Sequence, residues 1–331
     1  MTRPERTSAR RGPASALHSL MVRSNLGKDP PMSTRDFDDE RWPIVVGVDG
    51  SGAGDLAVRW AAETAAARDR RLRIVHAVDL AAATAVLEPY DLIVSPVREA
   101  MREHSVDCLA AAQRLAESVD SGLRIDTASV DGTPARVLIE QSATAHVTAI
   151  GAWGISGGGL LGSTVLSVCA HAHGAVVVVR DTGTEQQTRH TGPVVVGVDG
   201  SESSRAAVAA AFFEANERHC ELVVVHCWSD LRFGWFAGLP DRISDRRAES
   251  AAQELVAQQL AGWADKYPDV TVKCRLYMSG PCHHLVEWSK SAQLVITGSR
   301  GRGGFAGLLL GSTSNALVQS AHCPVMVVHP R

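Results

Sequence analysis

One heptapeptide occurs twice in this chain. Val45-Val46-Gly47-Val48-Asp49-Gly50-Ser51 returns as Val195-Val196-Gly197-Val198-Asp199-Gly200-Ser201. At the same offset Val75-His76 returns as Val225-His226. Gly162-Ser163-Thr164 returns as Gly311-Ser312-Thr313, and the apolar run 176–179 returns as 325–328. Landmarks repeated in the same order mean two copies of one unit. The 331 residues suit two domains of ordinary size, which we place at 41–180 and 193–331. The polar stretch 181–192 reads as a linker.

Each copy alternates short apolar runs with helix-like stretches. The predicted strands are 44–48, 72–77, 123–129, 147–150 and 175–179, then 194–198, 222–227, 270–277, 294–297 and 325–328. They are rich in Val and Ile, as strands covered on both faces should be. Ser51 and Ser201 each follow a strand and precede an Ala-rich segment, so both are expected N-caps. Strand–helix alternation predicts an α/β fold, with two tandem, doubly wound, five-stranded parallel sheets. Ligands on such sheets gather at the C-terminal strand ends. Two features of each copy fall there: the carboxylate after the first strand, Asp49 or Asp199, and a glycine loop after the fourth.

That loop is fullest in the second copy. It runs Gly298-Ser299-Arg300-Gly301-Arg302-Gly303-Gly304 and continues to Gly311-Ser312-Thr313. Glycines allow tight turns and let main-chain N–H groups approach an anion closely. The helix start that follows adds unpaired donors and a positive dipole end. Arg300 and Arg302 add full charge. Leu310 precedes Gly311-Ser312, so the lysine of a Walker A loop is missing. The spacing is Gly-x2-Gly-x9-Gly-Ser; the bland alternative is a glycine-rich turn with no ligand.

The repeated VVGVDGS, the paired Val-His, and GSRGRGGFAGLLLGSTS followed by HCPVMVV together resemble tandem universal stress proteins, over about residues 42–330. The resemblance implies a universal stress protein fold of the adenine nucleotide alpha-hydrolase-like type, with strand order 3-2-1-4-5. It also implies ATP as ligand, with magnesium as an option, and pairing through the last strand. Carried onto this chain, Gly197 lets the first strand approach the nucleotide and Asp199 meets the ribose or a phosphate-bound metal. Cys227 lies beside the adenine, and Asp230 meets the base or ribose edge. Gly298, Ser299, Arg300, Gly301, Arg302, Gly303 and Gly304 wrap ribose and phosphates, and Gly311, Ser312 and Thr313 bind the outer phosphates. The first copy keeps Gly47, Asp49, Ala77, Gly151, Gly154, Gly162, Ser163 and Thr164 at the matching positions. Its loop is shorter, with seven residues between Gly154 and Gly162 against nine between Gly301 and Gly311. Trp153 and Ile155 replace the two arginines. A charge-assisted hydrogen bond is worth roughly 1.5–3 kcal/mol, so losing one weakens binding about tenfold or more. The second copy is therefore expected to bind ATP more tightly.

Composition narrows the alternatives. A net charge of −3 implies no general attraction to nucleic acid, and no apolar run is long enough to span a membrane. The seven cysteines include no Cys-x-x-Cys pair, and the pairs His171/His173 and His283/His284 lack partners at metal spacing, so no metal set is selected. His76 and His226 read as buried, hydrogen-bonded residues. Residues 1–40 are Arg-, Ser- and Pro-containing with few large apolar groups, which reads as disorder, or as a mis-assigned extension upstream of a natural start at Met32, rather than a targeting segment. The aromatic stretch 231–239 reads as an interface or core patch, or as a lid over the base.

No catalytic residue is selected. The expected function is a cytoplasmic, ATP-binding regulator of stress or dormancy, with slow ATP hydrolysis at most. Its expected partners are ATP, its own second half, a second copy and an unidentified protein. The alternatives are an adenylyl-transferring enzyme and a nucleotide-free interaction scaffold.

Overall fold

β-Branched side chains pack well on a pleated surface, which is why the Val- and Ile-rich runs become strands. A computed structural model describes residues 42–82, 91–154, 161–181, 189–229, 246–302 and 310–330. The expected tail 1–40, the aromatic stretch 231–239 and most of the linker lie outside these residues. In the first half the strands are β1 (Ile44–Val48), β2 (Leu72–Val78), β3 (Ile125–Asp131), β4 (Val147–Gly151) and β5 (Ala175–Val179). In the second they are β6 (Val194–Val198), β7 (Leu222–Ser229), β8 (Val272–Ser279), β9 (Leu294–Gly298) and β10 (Val325–Val328). The predicted starts at 123 and 270 move inward, because Leu123 and Val270 give their N–H groups to the turn carbonyls of Asp120 and Tyr267.

The described helices are α1 (Gly52–Ala67), α2 (Asp91–Val119), α3 (Pro134–Ser142), α4 (Ser163–His171), α5 (Glu202–Glu217), α6 (Arg246–Leu260), α7 (Trp263–Lys266), α8 (Pro281–Ser289) and α9 (Ser312–Ser320). Both expected serine caps form. Ser51 Oγ accepts from the Gly54 N–H at 3.1 Å, and Ser201 Oγ accepts from the Ser204 N–H at 3.1 Å. Pro134 and Pro281 open their helices, where no N–H is missed.

Within each half the strands are parallel and ordered as expected. The two sheets join through their last strands, as the family resemblance implies. Among the described residues the strands form one mixed sheet, β3-β2-β1-β4-β5-β10-β9-β6-β7-β8. The join is antiparallel, with Val178 opposite Val325 and Val177 opposite Met326. Each unit ends on a strand with one unpaired edge, and pairing the two edges satisfies both rows of donors and acceptors. β4, β5, β9 and β10 are buried at every position, while the outermost β3 and β8 are only partly covered. Alternate side chains enter two cores. Val177 and Val179 join Leu56, Trp60 and Phe212 on one face; Val176 and Val178 join Val168, Leu317 and Val318 on the other. Both cores run through both halves.

Polar contacts fix the join. Arg68, just after α1, donates to buried Glu214 of α5 at 2.7 Å, and Arg218 donates to the same oxygen at 2.9 Å. Burial pushes the Glu214 carboxyl up, but the two guanidinium groups outweigh it and lower its pKa to about 2. Arg180, beyond β5, reaches across to the carbonyls of Val318, Gln319 and Ala321 at the end of α9. His329 answers it from the other half, with Nε2 3.0 Å from the Cys169 carbonyl of α4. A cation and an imidazole thus satisfy last-turn carbonyls across the pseudo-symmetric boundary.

Candidate functional site

Each half has a cleft where the carboxylate after its first strand meets the glycine loop after its fourth. In the second half the cleft holds about 270 Å³. Gly197, Asp199, Cys227, Gly298, Arg300, Gly301, Arg302, Gly311, Ser312 and Thr313 line it. The two segments that sequence reasoning puts opposite each other therefore do face each other across open space. Ser299 does not line the cleft: its N–H donates to the Val328 carbonyl, its carbonyl accepts from the Gly311 N–H, and it is buried. Asp230, Gly303 and Gly304 lie outside the described residues.

Asp199 is the pivot. Its Oδ1 accepts from the Ser201 N–H at 2.9 Å, and its Oδ2 accepts from the Arg302 N–H at 2.9 Å. Ser201 Oγ adds a bond to the Arg300 carbonyl at 3.4 Å. The carboxylate expected to meet ribose or metal also pins the loop to the end of β6. The close approach also explains Gly301, where a Cβ would lie 2.5 Å from Asp199 Oδ2. Gly298 has a similar reason that involves no ligand: its Cβ would lie 2.7 Å from the Ser203 carbonyl carbon.

The far wall is the start of α9. Gly311 is its N-cap and supplies no side-chain acceptor to the Ser312 and Thr313 end of the helix. Ser314 turns inward and donates to the Gly298 carbonyl at 2.6 Å. That bond ties the helix start to the end of β9. His226 is buried, with Nδ1 2.6 Å from the Val198 carbonyl, so it braces the strand rather than lining the cleft. Leu285 and Pro281 of α8 also enter the cleft wall. Sequence reasoning missed both; the available signal was a helix start directly after β8.

The first-half cleft holds about 590 Å³ and is lined by Gly47, Asp49, Ala77, Gly151, Gly154, Gly162, Ser163 and Thr164. Every first-half candidate is thus in one place. Asp49 Oδ1 accepts from the Ser51 N–H at 3.0 Å, and a Cβ on Gly154 would lie 2.7 Å from Asp49 Oδ2. Trp153 lines this cleft where Arg300 lines the other. Among the described residues the two clefts differ in both space and charge: the first is the roomier, and Arg300 and Arg302 line only the second. Ile155 lies outside the described residues.

His284 and His171 engage protein neighbours. His284 stacks on Tyr277 with ring centroids 3.7 Å apart, and His171 Nδ1 lies 3.0 Å from the Ser167 carbonyl. His76 is different. It meets His104 and Cys108, a grouping that sequence reasoning did not select. The i, i+4 spacing of His104 and Cys108 on a helix was the visible signal. Among the described residues no helix is long and apolar enough to cross a membrane.

Comparison with known proteins agrees with this architecture. A family model described as the universal stress protein family matches residues 42–180 and again 190–329. A universal stress protein of Mycolicibacterium smegmatis is 38% identical over 295 residues, covering 87% of this chain and 97% of its own. One from Mycobacterium tuberculosis (strain ATCC 25618 / H37Rv) is 37% identical over 290 residues, covering 86% and 95%. Among solved structures, a universal stress protein from Archaeoglobus fulgidus DSM 4304 superposes with a TM-score of 0.63 at 18% identity, covering 88% of this chain and 99% of that one. The last likeness speaks for the fold alone.

Proposed function

The chain belongs to the universal stress protein family as a tandem member, and on that premise we propose that it is an ATP-binding regulator whose second half holds the tighter site. The observation that carries this reading is the clamp between Asp199 and the Arg302 N–H beside an open cleft. The clamp fixes a glycine loop with two exposed arginines opposite the start of α9. Donors held in advance at a helix start suit a polyphosphate, because little ordering remains to be done on binding. In this reading Gly311, Ser312 and Thr313 meet the outer phosphates, Arg300 and Arg302 neutralise them, and the main chain around Cys227 lies against the base. Asp199 serves the loop rather than a magnesium ion.

We assign binding rather than turnover to the site. The ionisable side chains among the described residues lining the second cleft are Asp199, Cys227, Arg300 and Arg302. Asp199 is engaged by main-chain donors, and the other three do not supply a base beside Ser312. The reading as a nucleotide-free scaffold draws on Gly298 and Gly301, whose small size is already required by packing. A cytoplasmic protein whose nucleotide occupancy is read by a protein partner remains our reading of its role.

Two measurements decide. Denaturing the purified full-length protein and analysing the supernatant should release ATP or ADP. Calorimetry with added ATP should then show binding that Arg300→Ala/Arg302→Ala weakens roughly tenfold or more. A protein with no released nucleotide and no heat of ATP binding is the scaffold. Steady production of AMP and pyrophosphate would instead make it an adenylyl-transferring enzyme.

A further inference from the structure

Two imidazoles and a thiol converge in the first half, next to its cleft. His104 and Cys108 are one turn apart on α2, so they share a face. Cys108 Sγ lies 3.4 Å from His104 Nε2. His76, near the end of β2, is buried, and its ring stands edge-on to that of His104 with centroids 6.0 Å apart. One donor atom from each of the three lies within 4.8 Å of the others. His76 is also held in place: Nδ1 lies 2.9 Å from Ser105 Oγ, which lies 2.7 Å from Ser129 Oγ. When Nδ1–H donates to Ser105 and Ser105 donates to Ser129, Nε2 keeps its lone pair. Metal-binding imidazoles are oriented in this way by a partner on the other nitrogen.

The second half shows the same position without these groups. Leu276 pairs with His226 where Ser129 pairs with His76. Gly200 faces Leu255 where Gly50 faces Cys108. His226 turns Nδ1 to the Val198 carbonyl instead. The duplication supplies its own control, and the polar set belongs to the first half.

We propose that His76, His104 and Cys108 bind a divalent transition-metal ion, zinc being the best match, with a fourth position open to water or another ligand. Two imidazoles and a thiolate are donors that zinc takes, and three protein ligands with one open position is a known arrangement for it. Zn–S and Zn–N bonds of about 2.3 and 2.0–2.1 Å put the two donors about 3.5 Å apart across a tetrahedral ion. The Cys108–His104 separation already has that value. His104 is exposed, which gives an ion a way in. Burial and the nearby His104 hold the His76 imidazole below its usual range, in the neutral form that ligates. Burial and the Asp49 charge push the Cys108 thiol up. A bound dication acts the other way and favours the thiolate. The site does not depend on nucleotide binding and is tested without it.

The test is titration of the reduced, metal-free, full-length protein with Co(II), then displacement by Zn(II). The expected result is a single equivalent of Co(II) with the visible bands of a tetrahedral centre and a sulfur-to-cobalt charge-transfer band. Cys108→Ser should lose the charge-transfer band. His104→Ala, a change at an exposed side chain, should keep the native circular dichroism and weaken Zn(II) binding roughly tenfold or more. Failure of the wild-type protein to take up Co(II) stoichiometrically overturns the proposal. So does a charge-transfer band that survives Cys108→Ser, since that sulfur would come from another cysteine. Unchanged Zn(II) affinity in His104→Ala overturns it as well.

Discussion

The main-chain N–H of Arg302 donates to Oδ2 of Asp199 at 2.9 Å, joining the residue just after β6 to the loop after β9. The other carboxylate oxygen accepts from the Ser201 N–H. Asp199→Ala removes both acceptors. A hydrogen bond to a charged group is worth roughly 1.5–3 kcal/mol, so the loop should loosen and global stability should fall by about that much. We expect ATP affinity to drop at least as far as in the double arginine variant, with faster proteolysis between residues 299 and 311. Unchanged proteolysis of Asp199→Ala would remove the clamp from the explanation.

Gly298→Ala is expected to act on folding as much as on binding. Its Cβ would meet the Ser203 main chain at 2.7 Å, and backbone cannot move aside as a flexible side chain can. Overpacking of this kind costs about 1–3 kcal/mol. Thermal unfolding should show a lowered Tm in the absence of nucleotide. A Tm equal to wild type would mean that β9 and α5 are less closely packed than described here.

Glu214→Ala should be among the more damaging single changes at the join. It leaves Arg68 buried without its carboxylate, and breaking a buried pair costs about 3–5 kcal/mol. Denaturant titration reads the loss as a lower midpoint. A change below about 1 kcal/mol would place this pair with surface ion pairs, which contribute little.

Acid should weaken the protein in two stages. Burial is the largest influence on His329 and lowers its pKa to about 4, while the carbonyl of Cys169 opposes the shift and His173, Arg300 and His171 add to it. A histidine lowered on folding contributes stability above its unfolded value near 6.5, and that contribution is lost as pH falls toward 4. Glu214 is likewise lowered, from 4.5 to about 2, so its contribution is lost below about pH 4.5. Unfolding free energy measured against pH should decline first between 6.5 and 4, and His329→Gln should flatten that first decline. A pH-independent stability from 7 to 4 would contradict this assignment.

Either half expressed alone should self-associate. β5 and β10 would each present an open, Val-rich edge, since each pairs with the other in the intact chain. Light scattering after gel filtration should show dimers, and Arg180→Ala in the first half should weaken them. A strictly monomeric half would mean that the edge is protected in another way.

Much of this was legible in the letters. The repeated VVGVDGS announces two like units, and short β-branched runs announce parallel strands, because burial on both faces selects those side chains locally. Ser51 and Ser201 were readable as caps because a cap depends on residues three apart. Of the described second-half residues that the sequence selects, all but Ser299 line the cleft. Ser299 is buried instead, because a glycine-rich string does not show which of its members turns inward. At Gly298 and Gly301 a Cβ would also meet protein atoms from a distant segment, which the loop spacing does not show.

What the sequence determined by itself is local and periodic: the duplication, the strand and helix runs, the helix starts and the chemistry of the loop. Pairing of the halves through their last strands was implied by the family resemblance, but tertiary structure alone decided two things: that Asp199 holds the loop, and that His76 meets His104 and Cys108. Each depends on side chains brought together from far apart in the chain. Apart from the i, i+4 spacing of His104 and Cys108, spacing along the sequence carries no signal of these contacts; they arise only when the sheet order and the packing of α2 on β2 are set.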